Sequence, residues 1–316
     1  MRRLTYFIVI CAALYGGYWF IGANRVEAGV RAALVELEAE GWDAEAEVNT
    51  RGFPSRFDTT LSDVSFAVPG DQWGYEAPFV QALALSYRPN NVIIVLPDEQ
   101  RLRFPGDTGT LTADRLRASA TVQPNLALAF DNLTAEGEML TYTSDRNWTL
   151  LITKLITAAR LQPDTNASYD VYAKLDDITL PEGTGAITTM LADADVRLQD
   201  PLDRTTVEVI VEQIVVNAVQ VTWDNVVLTG RGQLDVDASG LPTGQIGLEI
   251  ENWQAILPRL VDAGVIDRNF SDQALTMGSL FAAGQDKMVL PLKFENGYSS
   301  LGPLPLGPAP RLHFTR

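Results

Sequence analysis

The segment Arg56-Phe57-Asp58-Thr59-Thr60-Leu61 decides the fold, because Phe57, Thr59 and Leu61 alternate in it with three polar residues. A period of two residues is typical of a β-strand with one buried face and one face in water. The same period returns in residues 83–87, 116–122 and 169–175. Strands of this kind usually pair in antiparallel sheets. We therefore expect a long, curved antiparallel sheet from residue 42 onward.

A six-residue pattern, with Asp or Asn before an aliphatic residue, occurs four times along the chain. The copies begin at Leu61, Phe130, Leu175 and Trp223. Each has apolar residues three positions apart, so we expect a bulge or bend there, where Asp and Asn tolerate the unusual backbone. None has the alternating oxygen ligands and the glycine of a calcium loop, so no metal site is expected. Two copies continue alike, which suggests two similar halves.

Residues 1–23 carry the signature of a transmembrane anchor. Arg2 and Arg3 precede an uncharged stretch from Leu4 to Ile21, which as a helix is about 27 Å long, close to the hydrocarbon thickness of a bilayer. The positive-inside rule then predicts a single-pass protein of the inner (plasma) membrane, with a cytoplasmic N-terminus and a periplasmic body. Three aromatic residues suited to the membrane interface lie toward the far end: Tyr15, Tyr18 and Trp19. The alternative is a cleaved signal peptide that leaves a soluble periplasmic protein.

Helical periodicity continues after the anchor, over residues 24–41. Asn24 is placed to cap this amphipathic helix and Gly41 to end it. We expect the apolar face of the helix to pack against the domain, because a helix lying on a membrane would be richer in lysine and arginine. Further helices are expected over residues 148–160, 253–265 and 271–283.

The end of the chain returns to a strand over residues 288–294. An Asn296-Gly297 turn follows it, and the proline-rich residues 301–310 predict an extended tail. Residues 162–168 are the best internal boundary, so we expect one β-rich half over residues 42–165 and a second over residues 166–316, with helices near residues 253–284. The expected fold class is α+β and mainly β, with a few helices covering the sheet.

Charge and composition disfavour several functions. The 40 acidic and 24 basic residues give a net charge of −16, which repels nucleic acid. The single histidine, His313, lies near the C-terminus, and the single cysteine, Cys11, lies in the apolar segment. Catalytic triads, thiol chemistry and zinc sites are therefore disfavoured, and no nucleotide-binding motif is present. We expect no enzymatic activity and no cofactor.

Three stretches carry a resemblance to a known family. They are Arg-Gly-Phe-Pro-Ser-Arg-Phe at residues 51–57, residues 230–245, and Gly-Tyr-Ser-Ser-Leu-Gly-Pro-Leu-Pro-Leu-Gly-Pro-Ala-Pro at residues 297–310. They look like the domain-of-unknown-function family 2125, which is bacterial and envelope-associated. The resemblance implies an envelope protein and brings no catalytic residue with it. The order of anchor, helix and long sheet is also similar to that of AsmA-like envelope proteins, a class associated with lipid handling in a hydrophobic groove.

Gly52, Phe53 and Pro54 have an explanation that is independent of the family. Glycine permits a sharp backbone, proline fixes the next turn, and Phe53 is placed to plug the end of the sheet. We expect these residues to form a structural motif and not a ligand site.

Two functions from different classes fit these observations. The first is binding of a lipid or another amphiphile in an apolar groove of the sheet. Its candidate lining is a set of large apolar residues: Phe66, Phe79, Leu83, Leu85, Tyr87, Leu116, Phe130, Tyr169 and Trp223. An ordinary core would contain the same residues. The second function is that of a structural or assembly factor, which binds another envelope protein through its acidic surface or its sheet edges.

Overall fold

A computed structural model describes residues 2–70, 72–181, 185–255 and 286–315, together with positions 258, 278, 279 and 282. Within these residues the chain forms a long N-terminal helix, α1 (Arg2–Ala39), then eighteen β-strands and one short 3-10 turn, Trp253–Ala255. The expected architecture, mainly β behind an apolar N-terminal helix, is confirmed. The chain divides into two compact units, and it passes between them more than once.

The first unit comprises residues 1–124 and 135–149. Its strands are β1 (Asp43–Arg51), β2 (Arg56–Ala67), β3 (Gly74–Leu85), β4 (Arg88–Val95), β5 (Glu99–Phe104), β6 (Asp107–Thr112), β7 (Arg115–Val122) and the larger part of β8 (Phe130–Ser144). All of the pairings are antiparallel. They run β1–β2–β3–β4–β7, with a branch β3–β5–β6–β8.

The second unit comprises residues 125–134 and 150–316. Its strands are β9 (Thr149–Leu161), β10 (Ser168–Thr179), β11 (Ala186–Leu198), β12 (Glu208–Trp223), β13 (Val226–Val236), β14 (Pro242–Glu251), β15 (Lys287–Glu295), β16 (Tyr298–Leu301), β17 (Leu304–Pro308) and β18 (His313–Thr315). From β9 to β17 each strand pairs antiparallel with the next, and β18 pairs with β12. Residues 162–168, where the sequence suggests an internal boundary, connect β9 to β10 inside this unit.

The helix expected over residues 24–41 is present as the last part of α1, but α1 is continuous through Asn24, so the expected cap at Asn24 is wrong. Its end at Gly41 is confirmed. Gly41 has φ of +89°, its N–H donates to the carbonyl of Glu38, and the N–H of Trp42 donates to the carbonyl of Leu37. These are the two hydrogen bonds of a Schellman C-terminus, which favours glycine at the left-handed position. Trp19 and Ala23 of α1 are buried against Phe57 of β2.

Two charged residues of α1 cover the open edge of β1, which pairs only with β2 among the described strands. Glu27 Oε1 accepts the N–H of Thr50 at 2.7 Å, and Arg31 donates to the carbonyl oxygen of Val48 at 2.8 Å. The two side chains also lie 3.2 Å apart as an ion pair. We name Glu27 and Arg31 the edge clasp, because they satisfy backbone groups that would otherwise invite another strand.

The helix expected over residues 148–160 is wrong, because these residues lie in β9, which pairs with β10 from Leu151 to Leu161. Helices expected over residues 253–265 and 271–283 fall mostly outside the described residues, apart from the 3-10 turn at Trp253–Ala255. The turn at Asn296 and Gly297 is confirmed, with φ of +53° and +77°. The proline-rich tail is extended as expected, but it includes β17, which pairs with β16.

The four repeated patterns have different outcomes. Asp63 and Asp177 lie inside strands with φ of +52° and +51°, as expected for bends. Asp224, with φ of +49°, instead forms the turn between β12 and β13. The copy at Phe130 runs along β8, and Asn132 is not among the left-handed residues of the described chain. Asp and Asn are therefore used where the chain bends or turns, but the pattern alone does not distinguish the two.

Candidate functional site: an apolar sheet face

The second unit has a sheet with one apolar face. Residues that pair side by side lie on the same face, and three rows of such pairs cross β9 to β15. The first row is Ala159, Val171, Ala194, Val216, Gly232, Ile246 and Leu292. The second row is Thr157, Ala173, Ala192, Val219, Gly230, Leu248 and Leu290. The third row is Leu155, Leu175, Met190, Val221, Leu228, Ile250 and Met288. We name these three rows the apolar face.

The apolar face is open near β10 and β11. Val171 is 37% exposed and Met190 is 38% exposed, and Ala192 beside them is exposed as well. Most other members of the face are only half-buried. The three exposed residues lie next to one another, and a contiguous exposed apolar patch, unlike a single exposed apolar side chain, is a candidate binding surface.

Two cores close the ends of this face. At one end, Tyr169 packs against Phe130, with ring centroids 5.7 Å apart, and its hydroxyl accepts the N–H of Leu202 at 2.9 Å. Burial raises the pKa of Tyr169. At the other end, Trp253 packs on Ile250 and Met288. The open part of the face is therefore bounded by well-packed side chains.

The opposite face of the same strands is mainly polar. Asp195, Gln233, Gln245 and Lys293 form part of one row across it. Arg160 donates to Asp170 at 2.6 Å, and this hydrogen bond, followed by one from Gln162, holds the pKa of the Asp170 carboxyl below its usual value. The sheet thus separates an aqueous face from an apolar one.

Two glycines of the apolar face let β13 and β14 approach closely. A Cβ atom added to Gly232 would lie 2.2 Å from the carbonyl oxygen of Gln245, and one added to Gly230 would lie 2.7 Å from Leu248 Cδ2. Larger residues at these positions would push β13 and β14 apart. On β10 and β11 the apolar face also has small side chains, at Ala173, Ala192 and Ala194.

The bend at Asp177 extends the apolar face. Ile178 pairs with Ile152 on one side and with Ile187 on the other, and Ile187 in turn pairs with Trp223. A left-handed residue at Asp177 lets Ile178 return to the face that carries Leu175, three positions earlier.

The predicted lining residues are divided between the two units. Phe130, Tyr169 and Trp223 belong to the second unit, where Tyr169 and Trp223 lie in line with the apolar face and Phe130 packs at its end. The other six belong to the first unit: Phe66, Phe79, Leu83, Leu85, Tyr87 and Leu116. The register places Phe79 and Leu83 beside Ser62 and Asp58, on the face opposite to that of Leu116.

Periodicity does not predict the exposed part of the apolar face. The alternation of Val171 with Tyr169 predicts a strand, but the exposure of Val171 depends on which other side chains cover it, and a local pattern carries no such information. In the first unit, Phe66 lines an open pocket of about 250 Å³ together with Trp73 and Phe104. This volume is below the usual range for ligand sites.

The structural motif is placed differently from the expectation. Gly52 has φ of +106°, which confirms the sharp backbone. Phe53 does not plug the sheet, since it lies against Trp19 and Phe20 of α1 at ring-centroid distances of 5.4 and 5.6 Å.

Among the described residues, no three His, Cys, Asp or Glu side chains form a group that could hold a metal ion.

Comparison with known proteins identifies the family. Residues 19–310 match the family described as "Uncharacterized protein conserved in bacteria (DUF2125)". No curated protein and no solved structure matches the chain, and none of these comparisons shows a likeness to AsmA-like proteins. Since the match covers nearly the whole sequence, the chain belongs to the DUF2125 family of bacterial proteins.

Proposed function

We propose that this protein is a non-enzymatic, membrane-anchored envelope protein that holds the acyl chain of a lipid or another amphiphile on its apolar face. The observation that supports this function is the exposure of Val171 and Met190, on β10 and β11, within a face that is apolar across seven strands. Each methylene group moved from water onto such a surface gains about 0.8 kcal/mol. Ala192, which is also exposed, adds little bulk to this open part of the face.

The N-terminal helix supports the membrane part of the proposal. In the described residues α1 is the one helix long and apolar enough to cross a bilayer. Its segment from Leu4 to Leu14 is exposed, whereas Trp19 and Ala23 are buried in the first unit. Cleavage after Ala23 would remove Trp19 from its core, which favours an uncleaved anchor. Arg2 and Arg3 favour a cytoplasmic N-terminus and a periplasmic body.

Photo-crosslinking in cells tests lipid binding with the full chain. Benzoylphenylalanine is placed at Met190 on the apolar face or at its neighbour Thr189, which pairs with Asp176 on the polar face. After irradiation, the purified protein is examined by mass spectrometry. We expect lipid-mass adducts from position 190 and none from position 189.

Other results would overturn the proposal. Adducts of equal yield at the two positions would show that lipid contacts the sheet without regard to its faces. Protein-sized adducts alone at position 190 would show that the face binds a polypeptide, which is the function expected of an assembly factor. Position 171 repeats the test on β10, with Tyr172 as its control.

A further inference from the structure

The end of the first unit beside α1 carries exposed aromatic side chains. Phe53, between β1 and β2, is 55% exposed, and Tyr87, between β3 and β4, is 64% exposed. Phe20 of α1 is 60% exposed although its ring stacks on Phe53. We name residues 52–55, residues 86–87 and α1 residues 15–21 together the aromatic tip.

Ser86 joins α1 to this tip. Its side chain is fully buried, and its Oγ atom lies 2.9 Å from the hydroxyl of Tyr15. Tyr18 donates to the carbonyl oxygen of Ser86 at 2.6 Å, and Trp19 Nε1 donates to the carbonyl oxygen of Arg56 at 2.7 Å. Residues 15–19 of the anchor are therefore held against the domain by three specific side-chain contacts.

The length of the apolar helix then fixes the position of the tip. The free part, Leu4–Leu14, is about 16 Å long at 1.5 Å per residue, which is roughly half of the ~30 Å hydrocarbon core. The helix can span the bilayer only if residues 15–21 also lie within it. These are the residues that carry the tip. We propose that the aromatic tip is immersed in the outer part of the bilayer, so that the folded domain itself is a lipid-contacting element.

The backbone of the tip suits immersion, because unpaired polar groups are costly in lipid. The carbonyl of Gly52 accepts the N–H of Arg56, and that of Ser55 accepts the N–H of Ser86. The carbonyl of Pro54 accepts the Ser86 hydroxyl at 3.3 Å. With the two carbonyls bound by Trp19 and Tyr18, the tip presents mainly aromatic surface.

The charges around the tip also fit a membrane. Arg51 and Arg88 are exposed next to it, in a chain whose net charge is −16. Basic side chains at this depth pair with anionic lipid headgroups. Arg25 is exposed four residues after Ile21, where the helix would leave the hydrocarbon. Tyr87 has an amphipathic ring of the kind enriched at membrane interfaces, and Phe53 adds an exposed apolar ring beside α1.

This inference rests on the anchor of the proposed function and is independent of lipid binding on the apolar face. Spin labelling of the full chain tests it in vesicles of phosphatidylcholine and phosphatidylglycerol in equal parts. The native Cys11, which is exposed, carries a label that reports insertion of the anchor. In a Cys11→Ser background, Phe53→Cys and Tyr87→Cys report the tip, and Val35→Cys is the control on an exposed part of α1 about 21 Å beyond Ile21.

We expect the spin labels at positions 11, 53 and 87 to collide preferentially with oxygen. The spin label at position 35 should collide preferentially with a water-soluble nickel complex. Nickel access at positions 53 and 87 with oxygen access at position 11 would overturn the inference while the anchor stands. Nickel access at position 11 would overturn both. If the labels at positions 53 and 87 are protected from both reagents, the tip is covered by protein, such as a second copy of the chain, and the inference is overturned. Tyr87 lies between β3 and β4 and its side chain is 64% exposed, so a label at this position remains informative if Phe53→Cys loosens the contact with α1.

Discussion

Gly22 is the residue on which the contact between helix and sheet depends. A Cβ atom at this position would lie 2.6 Å from Cζ of Phe57, and Phe57 is itself buried against Trp19 and Ala23. Glycine is therefore used here for close approach, in the middle of a helix, where it is otherwise unfavourable.

We expect Gly22→Ala to destabilise the first unit by about 1–3 kcal/mol, because the Phe57 ring must move out of a packed site. Gly29→Ala is the matched control, since nothing lies within 4 Å of its Cβ position, and it should stabilise α1 by about 0.5–1 kcal/mol. Denaturant unfolding of the full chain in detergent micelles measures both. Equal effects of the two variants would contradict the role assigned to Gly22.

Among the secondary-structure elements, α1 protects the edge of β1. The edge clasp has the N–H of Thr50 and the carbonyl of Val48 as its partners, so the helix covers backbone groups that a further strand would otherwise use. This argues against β1 as a free edge for a partner protein.

Replacing both clasp residues, Glu27→Ala with Arg31→Ala, should expose the edge of β1. We expect a loss of about 1–3 kcal/mol in stability from the broken charged hydrogen bonds, together with concentration-dependent self-association. Sedimentation velocity in detergent measures the association, and Glu38→Ala, an exposed residue of the same helix, is the control. A double variant that stays monomeric at every concentration would show that the clasp does not protect the edge.

Strand β9 shows why an element can be misread in sequence. Leu151, Leu155 and Ile156 have helical spacing, but Ile152, Ile156 and Thr157 are β-branched and favour strands. The pairing partner in β10 decides between the two, and it is distant information that a local window lacks. Strand β7 was predictable because Leu116, Ala118, Ala120 and Val122 alternate without such a conflict.

At the scale of the whole molecule, alternation predicted the mainly β fold but not its division into units. The chain leaves the first unit at Pro124, returns at Ala135 and leaves again at Thr149. No change of composition marks these points, whereas the polar residues 162–168 resemble a boundary. Periodicity also does not distinguish the two faces of different strands, so it places Leu83, Leu116 and Tyr169 in one predicted groove although they belong to different units.

The proposed lipid site on the apolar face is tested by charged substitutions. In Val171→Asp with Met190→Asp, we expect less lipid to copurify with the full chain, because charges now occupy the open centre. Stability should change by roughly 0.5 kcal/mol or less per exposed site. Val216→Asp, at a buried position of the same face, should instead unfold the second unit. Mass spectrometry of extracted lipid and thermal unfolding separate the two effects, and an unchanged lipid content in the double variant would contradict the proposed site.

The unbroken course of α1 has a mechanical consequence. One rigid rod carries both the apolar segment and the contacts at Trp19 and Arg31, with no flexible joint between them. Under the proposed function, in which the apolar segment anchors the protein, the first unit therefore follows the tilt of the helix and cannot turn about a flexible linker. The proposed anchor would then set both the distance of the first unit from the membrane and its orientation.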